Sequence, residues 1–145
     1  MEDQSITSKL LNTLNEQVKN NDVKPREYSP LVLAYIGDAV FEIFIRTAVV
    51  IKGNASVNKL NKTVREYVKA SGQAEIYDKI KSYLTEEEES IFKRGRNAKS
   101  VTVPKNALLS DYKHATGLEA LLGYLYLDGQ IERLQYLIKL GIEKD

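Results

Sequence analysis

Apolar residues recur at spacings of three and four along almost the whole chain, and no stretch alternates apolar and polar residues convincingly. This spacing lines up apolar side chains on one face of an α-helix, whereas a half-buried strand needs strict alternation. The 145 residues are enough to bury one hydrophobic core. The sequence therefore predicts an all-α fold in a single domain spanning residues 1–145.

The longest apolar run predicts a helix from about Pro30 to Ile51. Ser29 can cap its free amides, proline tolerates the first helical position, and Gly53 is a stop signal. An amino-terminal helix is expected within residues 1–25, where Ser5 can act as the cap. Its apolar stripe consists of Ile6, Leu10, Leu11, Leu14 and Val18.

The second half of the chain also reads as helical. Residues 56–84 predict one helix, or two with a break near Gly72. Thr85 and Glu88 have the spacing of a capping box, and the glutamates at 86–89 favour the positive end of a helix dipole, as expected for a well-capped surface helix. Further predicted segments are a loop over residues 95–106, a helix over 111–127, a turn at 128–129 and a last helix over 131–140.

Positive charge is concentrated in one segment. The net charge is only +1, yet residues 93–113 hold six cations against one anion, and the remaining residues hold 15 cations against 19 anions. Phosphate groups attract lysine and arginine whatever the base sequence. This segment is therefore a candidate surface for nucleic acid, with an ordinary solvated loop as the alternative.

The composition argues against several classes of protein. The absence of cysteine excludes disulfides and thiolate metal sites, and it favours a reducing compartment, so we expect the cytoplasm. The amino terminus is acidic and then amphipathic, which is not typical of a signal peptide. Asp38, Glu42 and Arg46 interrupt the apolar run, and an Asp or Arg near mid-bilayer costs about 2.5–3.5 kcal/mol, so we expect no membrane span.

Two carboxylates stand alone in apolar helical runs: Asp38 in LAYIGDAVFE and Glu119 in ATGLEALLGYLYL. Aspartate is a poor residue for mid-helix and is costly to bury unpaired. Glu42 and Arg46, on the same stripe as Asp38, can pair with each other. Asp38 and Glu119 could share a hard cation such as Mg²⁺. The alternatives are capping, a salt bridge, or a hydrogen bond to a tyrosine or histidine.

The stretch LAYIGDAVFE resembles the signature helix of the ribonuclease III catalytic domain, and HATGLEALLGYLYLDGQ resembles that family's second acidic helix. LTEEEESIFKRGRNAKSVTVPKN, followed by Tyr112 and His114, is similar to the Mini-III ribonucleases, which lack the usual double-stranded RNA-binding domain. The resemblance spans roughly residues 28–129 and implies the ribonuclease III catalytic fold. The positions of the four metal-holding carboxylates in the larger enzymes correspond here to Ala34, Asp38, Thr116 and Glu119.

This resemblance implies a metal-dependent endoribonuclease that cuts double-stranded RNA and leaves 5′-phosphate and 3′-hydroxyl ends. Asp38 and Glu119 would be both its catalytic residues and its metal ligands, with Mg²⁺ as the cofactor and Mn²⁺ as a substitute. The implied substrate is the precursor of the large (23S) ribosomal RNA, cut by a homodimer. Without an RNA-binding domain, the substrate is expected either to be unusually shaped or to be presented by another protein, for which a ribosomal protein is a candidate, because fewer phosphate contacts mean weaker binding.

The basic segment is then predicted to hold the RNA. A-form RNA is recognised mainly through its shape, backbone and 2′-hydroxyls. His114 could instead be a packed, hydrogen-bonded residue, as a lone helical histidine often is. Two rival functions stay open, a noncatalytic ribosome-associated RNA-binding relative and a helical protein-interaction domain. The predicted RNA contacts are Arg94, Arg96, Asn97, Lys99, Lys105, Asn106, Lys113 and His114.

Overall fold

The structure is a computed structural model that describes residues 6–99 and 108–143. Across these ranges the regular structure is entirely helical, which confirms the all-α prediction there. None of the helices described is long and apolar enough to cross a membrane. Short 3-10 turns at Pro25–Glu27 and Lys81–Tyr83 join some of the α-helices, which are α1 Ile6–Lys19, α2 Pro30–Lys52, α3 Val57–Val68, α4 Ala70–Ile80, α5 Glu86–Asn97, α6 Leu109–Leu127 and α7 Ile131–Ile142.

The start and stop signals of α2 act as predicted. The Ser29 hydroxyl accepts a hydrogen bond from the Val32 amide at 3.3 Å, proline occupies the first turn, and Gly53 is the carboxyl-terminal cap. The break in residues 56–84 lies at Lys69, between α3 and α4. Gly72 lies inside α4, where a side chain would overlap the backbone oxygen of Glu66 on α3. This glycine therefore serves close helix packing instead of ending a helix.

The capping box of α5 is confirmed. The Thr85 hydroxyl accepts from the Glu88 amide at 3.1 Å, and the Glu88 carboxylate accepts from the Thr85 amide at 2.9 Å. The prediction that α5 is a surface helix is wrong at Glu88, which is only 4% exposed. Arg133 on α7 donates to its two oxygens at 2.8 and 2.9 Å. Burial raises the pKa of Glu88, but the hydrogen bonds from Arg133 and Thr85 outweigh it and the pKa is lowered.

The loop predicted over residues 95–106 begins later than expected. Helix α5 continues to Asn97, so residues 95–97 are helical and this part of the loop prediction is wrong. The reason is packing. A side chain at Gly95 would meet Gly117 and Ala120 of α6, so the glycine lets the end of α5 pack closely against that helix. Ser5, Lys105 and Asn106 lie outside the described residues, so predictions about them stay predictions.

Helix α6 is the centre of the molecule and packs against α2, α4, α5 and α7. The contact with α2 is the closest: a side chain at Gly37 would overlap the Glu119 carbonyl oxygen, and one at Gly123 would overlap that of Leu33. Two glycines, one on each helix, thus allow the backbones to touch. The side chains with almost no exposure around this contact are Leu33, Phe41, Ile45, Leu118, Leu121, Leu122 and Leu125.

We expect Gly37→Ala to separate α2 from α6. The added methyl group would meet backbone atoms, which cannot rotate away, so the free energy of unfolding should fall by about 1–3 kcal/mol or more. Urea unfolding measures this change. Gly53→Ala is the control, because a side chain there meets nothing within 4 Å and the backbone is extended. Equal stability of the two variants would contradict the close contact.

Candidate active site

The two isolated carboxylates meet at the contact between α2 and α6. Asp38 lies on the exposed side of α2, directly after Gly37, and Glu119 is half-buried on α6. A side-chain hydrogen bond joins the two carboxyl groups. Glu42 and Arg46 form an ion pair with each other at 2.8 Å, as predicted. Asp38 therefore interacts with Glu119 and not with Arg46.

This arrangement changes the protonation of Glu119. Burial raises its pKa to about 9, helped by the hydrogen bond to Asp38 and by the negative charge of Asp38, while the Gln73 amide acts in the opposite direction. At neutral pH, Glu119 therefore holds a proton in the metal-free protein and donates it towards Asp38. A divalent cation would oppose this shift, since it would stabilise both carboxylates in their charged form.

The donor set suits a hard cation that keeps part of its water shell. Two adjacent carboxylates supply oxygen ligands, and Mg²⁺ is commonly held by one or two carboxylates plus waters and phosphate oxygens. Ala34 and Thr116, at the positions of the other two carboxylates in the resemblance, are buried. The Thr116 hydroxyl donates to the Tyr112 carbonyl at 3.0 Å. Among the residues described, no group of three or more metal-ligating side chains forms.

The predicted RNA contacts fall around the end of α5 and the start of α6. The Arg94 side chain forms hydrogen bonds within the protein: its guanidinium donates to the carbonyls of Arg26 at 3.1 Å and Tyr28 at 3.2 Å. It thereby holds the segment that leads into α2, a structural role with no signal in the sequence. Arg96 contacts the Asn97 side chain at 3.1 Å, and Lys99 is exposed. Their roles in binding RNA stay predictions.

His114 is packed as well as partly exposed. Its Nδ1 donates to the Ser110 carbonyl at 2.6 Å, and its ring lies 5.6 Å from the Tyr77 ring and 5.9 Å from the Phe92 ring, centre to centre. The structure thus shows the packed interaction that the sequence left open. Lys113, its neighbour, is exposed. Contact of Lys113 or His114 with RNA stays a prediction.

Comparison with known proteins gives the same family as the fold and the acidic pair. Residues 31–130 match the ribonuclease III domain. A Mini-ribonuclease 3 of Clostridium tetani is 51% identical over 130 residues, 89% of this chain and 85% of the relative. One from Enterococcus faecalis is 46% identical over 121 residues, 82% of this chain and 92% of the relative.

A solved structure has a similar fold. The crystal structure of a Fusobacterium nucleatum protein matches with a TM-score of 0.75 and 39% identity, covering 83% of this chain and 97% of that one. The chain therefore belongs to the ribonuclease III family, a family of endoribonucleases, and its fold is that of the family's catalytic domain. Within the family it groups with the Mini-ribonuclease 3 proteins.

Glu119→Gln should change how stability depends on pH. An unfolded glutamate titrates near about pH 4.3, whereas Glu119 in the fold titrates near pH 9. Between these values the folded protein holds a proton that the unfolded chain has lost, so the free energy of unfolding of the wild type falls as pH rises. The variant lacks this decline, so its free energy of unfolding should rise relative to that of the wild type from pH 5 to pH 9.

Urea unfolding with a chelator present measures the effect at a series of pH values. The difference in unfolding free energy between variant and wild type is the informative quantity, because the other titrating groups are common to both proteins. Parallel curves across the window would show that Glu119 is not protonated in the folded protein.

Proposed function

We propose that this protein is a Mg²⁺-dependent endoribonuclease of the cytoplasm that cleaves double-stranded RNA, and that its substrate is the precursor of 23S ribosomal RNA. The observation that carries the proposal is the contact between the Asp38 and Glu119 carboxyl groups at the α2–α6 crossing. Two carboxylates placed side by side at a cost in stability are typical of a site built for a cation.

The proposed roles of the two carboxylates differ because their surroundings differ. When bound, the cation supplies an activated water and offsets the charge that develops on the phosphoryl oxygens. Exposed Asp38 is the ligand within reach of a phosphate group, while half-buried Glu119 is held in position by the backbone contact at Gly37. Glu119 must lose its proton before both carboxylates can act as ligands, which couples cation binding to proton release.

A homodimer is part of the proposal, and the surface of α2 supports it. Large apolar side chains lie exposed along one side of this helix, Tyr35 with 82% exposure and Ile43 with 60%. Their helical positions fall within one stripe, and such a patch is typical of a protein interface. The stripe consists of Leu31, Val32, Tyr35, Ala39, Ile43 and Val50, and the Glu42–Arg46 ion pair lies among them. Asp38 lies beside it, so pairing of two copies would bring two acidic pairs to one RNA duplex.

The RNA would be held by the basic segment, residues 93–113. Its charges attract the RNA backbone, and its few contacts imply modest affinity, so we propose that a ribosomal protein presents the substrate. Arg96 and Lys113 are the best candidates among the described residues, since neither makes the pair of backbone contacts that occupies Arg94. Lys105 and Asn106 stay candidates from the sequence alone.

Asp38→Asn and Glu119→Gln should each lower the rate of cleavage of a long RNA duplex by at least about a hundredfold, because misplacing the reacting water by an ångström costs that much. Both changes preserve size and remove charge, so folding and duplex binding should persist. The measurement is single-turnover cleavage in Mg²⁺. Chelation of the wild type should have the same effect and be reversible.

Glu42→Gln is the control for these variants. Glu42 lies one turn from Asp38 on α2 and pairs with Arg46, so its loss should leave cleavage near the wild-type rate. If the wild type leaves duplex RNA intact over a wide range of Mg²⁺, the noncatalytic alternative is supported. If the wild type cleaves and all three variants cleave equally well, the acidic pair has no part in the reaction.

Arg96→Ala and Lys113→Ala should weaken duplex binding and reduce its dependence on salt. Each lost phosphate contact lowers the slope of log K against log salt by about 0.9 if the duplex behaves like B-DNA. Binding is measured in the Asp38→Asn background, where cleavage is slow. Lys139→Ala, an exposed cation on α7, should leave the slope unchanged. An equal slope in all of these proteins would place the RNA surface elsewhere.

A further inference from the structure

Gln73 on α4 is a buried polar residue whose hydrogen bonding is incomplete. It is 3% exposed, and its Nε2 donates to the Val68 carbonyl at 2.9 Å. Its Oε1 is buried and finds no hydrogen-bond partner among the described residues. A buried acceptor without a donor is unfavourable for folding. Such atoms are few in folded proteins, and each one needs an explanation.

The position of Gln73 relative to α6 supplies that explanation. Tyr77 lies opposite His114, with the ring centres 5.6 Å apart. One turn earlier on α4, the Gln73 amide lies near the Glu119 carboxyl and favours its charged form. Helices α4 and α6 are antiparallel here, so one alignment of the two helices brings together both Tyr77 with His114 and Gln73 with Glu119. Gln73 is thus the third polar side chain at the Asp38–Glu119 contact.

The orientation of the amide follows from its neighbours. A primary amide offers two N–H donors and one carbonyl acceptor. The Val68 carbonyl can only accept, so the nitrogen must face it; the opposite orientation would set two oxygens 2.9 Å apart. One N–H is therefore fixed by Val68 and the other is available to Glu119. The remaining oxygen is directed away from any protein donor described here.

We propose that Gln73 is a positioning residue of the acidic pair: its amide nitrogen holds the Glu119 carboxylate in place for a divalent cation, and its Oε1 accepts a hydrogen bond from a water in the same site. The inference rests on the proposed function of Asp38 and Glu119. It extends that function to a residue on a third helix, α4, which lies outside both acidic motifs of the sequence.

A purely structural role accounts less well for the same atoms. The hydrogen bond to Val68 is a structural role, because it satisfies the carbonyl at the end of α3. It accounts for the amide nitrogen but not for the buried oxygen, which carries a cost that this role does not require. Residues that hydrogen-bond to a metal ligand orient it and tune its charge, and losing one typically costs about 10- to 100-fold in metal affinity or activity.

The test compares Gln73→Leu with the wild type in the absence of RNA. Binding of Mn²⁺, followed by electron paramagnetic resonance, should weaken by about 10- to 100-fold. Thermal stability should fall, because the Val68 carbonyl loses its donor. In cleavage assays the half-saturating Mn²⁺ concentration should rise by a similar factor, and part of the lost rate should return at high Mn²⁺. A glutamine with a structural role alone would show the same loss of stability with unchanged Mn²⁺ affinity.

Tyr77→Phe is the matched control. It removes one side-chain hydrogen bond from the same helix, the 2.8 Å bond from the Tyr77 hydroxyl to Glu89, at a residue that does not contact the acidic pair. It should leave Mn²⁺ affinity unchanged. If Gln73→Leu does not fold, Gln73→Met provides the same comparison with a flexible side chain.

The outcomes separate the two proposals. Equal Mn²⁺ affinity in Gln73→Leu and wild type, with cleavage by both, overturns the role of Gln73 and leaves the acidic pair in place. A wild type that neither binds Mn²⁺ nor cleaves duplex RNA overturns both. Weakened Mn²⁺ binding in Tyr77→Phe to the same degree as in Gln73→Leu would also count against Gln73, because the effect would then belong to the packing of α4.

Discussion

The backbone contact between α2 and α6 is the constraint on which the site depends. Gly37 and Gly123 let the two helices touch where a methyl group on either would overlap a carbonyl oxygen. Only because the helices are this close can Asp38 and Glu119, far apart in sequence, share a hydrogen bond. Close packing of small residues and the chemistry of the site are therefore one feature, and the glycine beside Asp38 positions that carboxylate against Glu119.

The surrounding helices support this contact through polar interactions that would otherwise be unfavourable in a core. The first turn of α5 carries four glutamates, and Glu88 forms a buried pair with Arg133 that ties α5 to α7. Breaking such a pair would leave an isolated buried charge, so the ion pair holds α5 against α7. Arg94 acts similarly at the other end of α5 by holding the segment before α2.

Much of this could be predicted from the sequence, because helical periodicity and capping are local properties. The all-α fold, the caps at Ser29 and Thr85, and the pairing of Glu42 with Arg46 are confirmed. Boundaries set by tertiary packing were wrong or incomplete, as at residues 95–97, where contact with α6 prolongs the helix. The contacts of Arg94 carried no signal, since its partners are two backbone carbonyls that only the fold brings near. The proposed role of Gln73 carried none either, because Glu119 is distant from it in the sequence.

We propose that one cation replaces one proton on the acidic pair. The most direct measurement is calorimetric titration of the metal-free protein with Mn²⁺ in buffers of different ionisation enthalpy, which counts the protons released per ion. Near pH 7 the account predicts about one proton per Mn²⁺, because the pKa of Glu119 is about 9. This release should be absent in Glu119→Gln. Binding of Mn²⁺ without proton release by the wild type at pH 7 would contradict the account.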